Sequence, residues 1–212
     1  MKERVVLLTL LVLSVLNVVP VGADDEWRVI KDEAGIRVQK RENPDLELKE
    51  YRVDSIFNET IGTIKAVLDD IPSAHKWFPL CPYARIIHED GDGYRKILSL
   101  SDFPWPCKDR YVVFLSSTTR DEDAGRIVID YQSVNETDDI GEIAEKYVRI
   151  EFVQGQWILE KIDDTHTRFT YTICADVGGS LPAWVVDVFL QDRPYEMVKN
   201  LKRFVKQPRY QQ

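Results

Sequence analysis

The C-terminal end constrains this chain most. From Gly178 the sequence runs Gly178-Gly179-Ser180-Leu181-Pro182-Ala183-Trp184, and apolar residues then recur at Leu181, Trp184, Val185, Val188, Phe189, Val198, Leu201 and Val205. Spacings of three and four set these on one helical face. Asp187, Gln191, Glu196, Lys199, Lys202 and Arg203 occupy the other. Ser180 suits an N-cap and Pro182 the first turn, where its missing N–H costs nothing. At about 1.5 Å per residue such a helix spans roughly 35 Å, and it needs a broad apolar surface to lie on. Pro194 falls inside it and predicts a kink or short break near Asp192. Gly178-Gly179 leaves a permissive backbone before the helix, so the helix is expected to act as a gate if anything lies beneath it.

The rest of the chain is patterned to supply that surface. Alternating apolar and polar residues predict strands over 27–31, 36–40 and 46–53, the first two joined through Asp32-Glu33-Ala34-Gly35. The period then changes: Ile61, Ile64, Val67 and Leu68 predict a helix over 59–69, with Asn58 as its cap. A second short helix or turn carries His75, Trp77 and Phe78. Segments 84–89, 94–101, 111–119, 126–134, 147–159 and 167–175 are rich in β-branched and aromatic residues and predict strands. Gly155 inside the longest of them predicts a bulge. The acidic stretch 135–145 reads as an exposed loop. Three strands, short helices, about six strands and one long helix predict an α+β domain, with a curved antiparallel sheet of about nine strands wrapped around the last helix.

The N-terminus stands apart. Lys2 and Arg4 precede an apolar run over 5–19, and Val21-Gly22-Ala23 gives the small-residue pattern cut by signal peptidase. The run is short for a membrane span and no basic stop-transfer cluster follows. Residues 1–23 are therefore expected to be a signal peptide and 24–212 the domain. Cleavage would remove two of the 28 basic and one of the 36 acidic residues, moving the net charge from −8 to −9. That balance argues against nucleic acid and against a standing anionic membrane partner. The protein is expected outside the cytoplasm, periplasmic or secreted, as a monomer with at most transient membrane contact. Three cysteines, Cys81, Cys107 and Cys174, are not a disulfide framework. One pair, Cys81 with Cys107, is the preferred bridge, against three buried thiols. Three scattered histidines and no Cys-x-x-Cys predict no metal and no cofactor.

Four stretches carry a family resemblance. Trp77-Phe78-Pro79-Leu80-Cys81-Pro82-Tyr83-Ala84-Arg85-Ile86 resembles the helix-to-strand junction of START domains, the steroidogenic acute regulatory type of lipid-transfer domain. Phe103-Pro104-Trp105-Pro106-Cys107-Lys108-Asp109-Arg110-Tyr111-Val112 is similar to their proline loop and following strand. Gly155-Gln156-Trp157-Ile158-Leu159 and Gly178-Gly179-Ser180-Leu181-Pro182-Ala183-Trp184 match two further landmarks in the same order. The resemblance covers 27–205. It implies a helix-grip fold with a tunnel between sheet and last helix for one lipid or other hydrophobic small molecule. It departs in one respect: the family's Arg-Asp is Asp109-Arg110-Tyr111 here, and the 94–101 strand carries Arg95 and Lys96 instead of an acid to pair with that arginine.

Ligand contacts are expected at Arg110, Trp105, Phe103, Trp184, Val188, Phe189 and Tyr171. A buried Arg110 must be paired, either with a ligand polar group or with Asp102 or Asp109. Phe103 and Trp105 sit in the proline loop, at the expected tunnel mouth or in the core. Trp184, Val188 and Phe189 are expected to face inward from the last helix, and Tyr171 is read as cavity wall or as core. No Ser/His/Asp or Cys/His arrangement supports nucleophilic catalysis. The expected function is non-enzymatic binding or transfer of a hydrophobic molecule. A helix-grip cyclase or hydrolase using the same cavity is the alternative.

Overall fold

A computed structural model describes residues 26–90, 93–135, 140–178 and 181–211; the segment read as a signal peptide and the Ser180 cap lie outside them. Alternation sets the sheet. Ile36 and Val38 are buried on β2 (Ile36–Asn43), and Tyr51, Val53, Ser55 and Phe57 on β3 (Leu48–Phe57), while the residues between them point outward. With β1 (Arg28–Glu33) these strands form a meander. Then α1 (Ile61–Asp69) and a 3-10 turn (Ile71–Lys76) lead to β4 (Ala84–Glu89), β5 (Tyr94–Ser101), β6 (Arg110–Asp121) and β7 (Arg126–Ser133). After α2 (Ile143–Lys146) come β8 (Val148–Arg149), β9 (Phe152–Lys161) and β10 (Thr167–Asp176). The sheet runs β1-β2-β3-β10-β9-β7-β6-β5-β4, antiparallel throughout, and the two-residue β8 adds parallel to β6.

Several expectations are corrected. The single strand over 147–159 is two, because the chain leaves β6 after Arg149 and joins β7 and β10 from Phe152. Gly155 is not a bulge. Register is continuous through it, with Ile173 opposite on one side and Tyr131 on the other. Helix α1 is capped by Thr60, whose Oγ1 accepts from the Thr63 N–H at 3.1 Å, and not by Asn58. Strand β3 runs on to Phe57, so Asn58 and Glu59 are used in leaving it. In the stretch read as an exposed loop, Ile140 is buried and joins Leu98, Leu100, Tyr111 and Val113 in a small second core on the outer face of β5 and β6. The three thiols are free, so Cys81 and Cys107 are not bridged.

The last helix is not one piece. α3 (Ala183–Asp187) passes into a π-helical turn (Val188–Asp192) and then α4 (Arg193–Phe204), with Pro194 in its first turn. The break falls where Pro194 predicted it, but the widened turn also changes the phase of the apolar stripe. Val185 and Leu190, five residues apart, are both buried, and α4 then buries Met197, Val198 and Leu201 against β2 and β3. Trp184 is thrown out of phase and is 52% exposed, against the expectation that it faces inward. The side chains of Val188 and Phe189 lie outside the described residues. Trp184→Ala is therefore expected to lower stability by about 1 kcal/mol or less in urea denaturation, where a core tryptophan would cost about 3–5 kcal/mol.

The chain end is clasped to α1. The Tyr210 hydroxyl donates to Asp70 Oδ2 at 2.7 Å, and Arg209 bridges Asp70 and Ser73. Burial alone would raise the Asp70 pKa, but hydrogen bonds from Tyr210 and Ser73 and the Arg209 charge outweigh it and hold the carboxyl below its ordinary 3.8. A lowered folded pKa stabilises fully above the unfolded value and is lost as pH falls through the folded one. Protection of the Tyr210 and Gln211 amides, which donate to Gln207 and Pro208, corrected for intrinsic exchange, is expected to fall between pH 5 and pH 2, as read by hydrogen exchange. Tyr210→Phe should move that loss to higher pH.

Candidate ligand cavity

Between the inner face of the sheet and the helices lies a cavity of about 170 Å³. Among the described residues its wall comes from α1, the 3-10 turn and the segment after it, β4, β5, β6, β7, β9, β10 and the first residue of α4. Most of the wall is apolar and much of it aromatic. Trp157 packs against Tyr171 at 4.3 Å and against Trp77 and Phe78 at 6.2 Å, and Tyr171 stacks on Tyr131 at 6.3 Å. These residues meet there because β9 and β10 pair with Trp157 opposite Tyr171, while the 3-10 turn delivers Trp77 and Phe78 from above. The Trp77 Nε1 donor is buried with no hydrogen-bond partner among the described residues.

Among the described residues, three charged side chains line the cavity: Asp69, Arg95 and Arg193. Arg95 Nη1 meets Asp69 Oδ1 at 2.8 Å, Lys65 Nζ reaches the same carboxylate at 2.6 Å, and Glu89 holds Arg95 Nε at 2.6 Å. The acid absent from the 94–101 strand thus arrives from α1, and it pairs with Arg95 rather than Arg110. Arg193 is buried, with its guanidinium 4.7 Å from the Phe78 ring centre. Burial pushes its pKa down to about 10, so it stays cationic at neutral pH. Burial also raises Tyr171 to about 12 and Tyr131 well above its ordinary value.

Of the residues expected to touch a ligand, Tyr171 alone is among the described lining residues. Arg110 is buried but turned elsewhere. Its Nε donates to the Val177 carbonyl at 2.9 Å, Nη1 to Lys108 at 2.7 Å and Nη2 to Gly178 at 3.3 Å, and its planar face lies 4.2 Å over Phe103. Its hydrogen-bond partners are backbone carbonyls, not Asp102 or Asp109; Asp109 instead accepts from the Phe103 N–H. Phe103 is core. Trp105 is 90% exposed, because the prolines on both sides carry it over the outside of the loop. Trp184 is exposed for the reason of phase given above. Sequence reasoning did not single out Arg193. Its one signal was Asp192-Arg193-Pro194, an arginine at the break in an amphipathic helix.

A curved antiparallel sheet holding an apolar cavity under a C-terminal helix defines a class of small-molecule-binding domain. The START domain family model matches residues 24–211, and the chain belongs to that family. An uncharacterised protein of Pseudomonas aeruginosa is 27% identical over 92% of this chain and 94% of its own length. The crystal structure of the STAR-related lipid transfer protein (fragment 25–204) from Xanthomonas axonopodis is 25% identical, with a TM-score of 0.75 over 86% of this chain and all of that one. An aromatase/cyclase from Streptomyces sp. R1128 shares the fold, with a TM-score of 0.53 and 14% identity over 74% of this chain and 93% of that one.

Proposed function

We propose that the protein binds one hydrophobic or amphiphilic small molecule in this cavity and carries it, chemically unchanged, outside the cytoplasm. The observation that carries the reading is the mostly apolar, partly aromatic cavity between the sheet and the helices, since burial of apolar ligand surface yields roughly 25 cal/mol per Å². The similarity to a STAR-related lipid transfer protein supports it. So does the chemistry of the wall. The shifted tyrosines move upward, Arg193 remains charged, and no histidine is among the described lining residues. General acid–base work at neutral pH calls for a group poised near 7.

The present space is comparable to an engineered cavity of about 150 Å³ that takes benzene. It suits a ring or one short chain, and anything larger enters only if a wall moves. The π-helical turn that leads into the lining residue Arg193, with Pro194 just after it, is the part best built to do so. Native mass spectrometry of the purified exported protein, with extraction of what co-purifies, tests the reading. A one-to-one adduct whose ligand is released at unchanged mass after prolonged incubation is the expected result. No adduct from any exported preparation would overturn binding, and a ligand converted to a new mass would replace the carrier reading with an enzymatic one.

A further inference from the structure

Trp77 brings to the cavity wall a polar atom that no described residue uses. It follows the 3-10 turn, and its main-chain N–H donates to the Ala74 carbonyl at 3.1 Å, which fixes where the ring is carried. The residue is 5% exposed and lines the cavity. Its Nε1 is buried and has no hydrogen-bond partner among the described residues. The rings that pack on it do not supply one. Phe78 and Trp157 meet it edge to face, at 5.6 Å and 6.2 Å with interplanar angles of 69° and 77°. A ring offers no lone pair in its plane, and an N–H over its face is a second-order contact. An indole N–H donates and cannot accept, and a buried one ordinarily finds an acceptor. Leaving it unpaired costs free energy that an incoming acceptor recovers.

We infer that the bound molecule completes this hydrogen bond: it carries an uncharged carbonyl oxygen, of ketone, aldehyde or ester class, against Trp77 Nε1, with its apolar part along Trp157 and Tyr171. This rests on the cavity being the binding site. A plain hydrocarbon would fill the same space and leave the donor unpaired. A protonated amine brings only further donors. A carboxylate taken out of water needs several donors where one indole supplies one, and the charged side chains of the wall have protein partners of their own.

Acetophenone and α-methylstyrene are the probes. They share a ring and a shape and differ in C=O against C=CH2, so their ring currents on a neighbouring proton are alike. In nitrogen–proton correlation spectra of the wild-type protein, the Trp77 indole N–H is assigned through its contacts to Phe78 and Trp157. It is expected to move downfield with acetophenone and not with α-methylstyrene. In isothermal titration calorimetry, Trp77→Phe should weaken acetophenone relative to α-methylstyrene by about fivefold or more, the range of one neutral hydrogen bond. The comparison is a ratio within each protein, so the void left by the smaller ring acts on both probes. An unchanged ratio, or an indole signal that both probes move alike, would overturn the carbonyl and leave the cavity reading intact. If neither probe binds, both fall. Should Trp77→Phe fail to fold, the indole signal of the wild type decides alone.

Discussion

Gly155→Ala is expected to destabilise the domain by about 4 kcal/mol or more, among the largest effects for a single methyl group. A Cβ at this position would stand 2.1 Å from the Thr172 carbonyl oxygen and 2.3 Å from the Tyr131 hydroxyl. Neither can withdraw cheaply. The carbonyl belongs to β10, which pairs with β9 along its whole length, and the Tyr131 hydroxyl donates to that same carbonyl at 2.8 Å. Tyr131 also stacks on Tyr171 in the cavity wall, so moving it would disturb the site as well as the sheet. Urea denaturation is the measurement. In the double variant Gly155→Ala/Tyr131→Phe, more than half of the loss should persist, because the backbone oxygen remains. A loss under about 1 kcal/mol for Gly155→Ala would mean that β9 can shift away from β10 at this point.

Arg110→Ala is expected to cost about 3 kcal/mol in the same assay, while ligand affinity per folded molecule stays within about twofold. The side chain holds together the start of β6 and the segment after β10, through the carbonyls of Val177 and Gly178, and it closes its own loop through Lys108. Removing it leaves the buried Val177 carbonyl without its donor and takes the cation from the Phe103 face. Lysine has one point of charge and no planar fork, so Arg110→Lys should recover less than half of the loss. A large fall in ligand affinity with unchanged stability would instead return Arg110 to the binding site.

The outline of the fold was legible because its signals are local. Strands 84–89 and 94–101 were read to the residue, since richness in β-branched and aromatic residues does not depend on what packs against them. Pro194 announced the break in the last helix for the same reason: a missing N–H is a property of one residue. The resemblance in four ordered motifs then assembled those elements into a START domain, which the family match bears out.

The site was much less legible, and for one physical reason: which way a side chain points depends on partners distant in sequence. The π-turn re-phased the apolar stripe, moving Trp184 outward and carrying Arg193 into the cavity wall, and no spacing rule for a regular helix could place either. Arg110 had the composition of a ligand-binding residue, but two of its three carbonyl partners are 67 and 68 positions away, brought to it by the segment after β10. Gly155 looked like a bulge from its neighbours and is the contact point for Tyr131, which lies directly opposite it on the adjacent strand β7. The sequence by itself determined the order of strands and helices, the broken last helix and the family. Only tertiary structure decided which arginine faces the cavity and which tryptophans face water, because those are outcomes of register between strands and of phase along a widened helical turn.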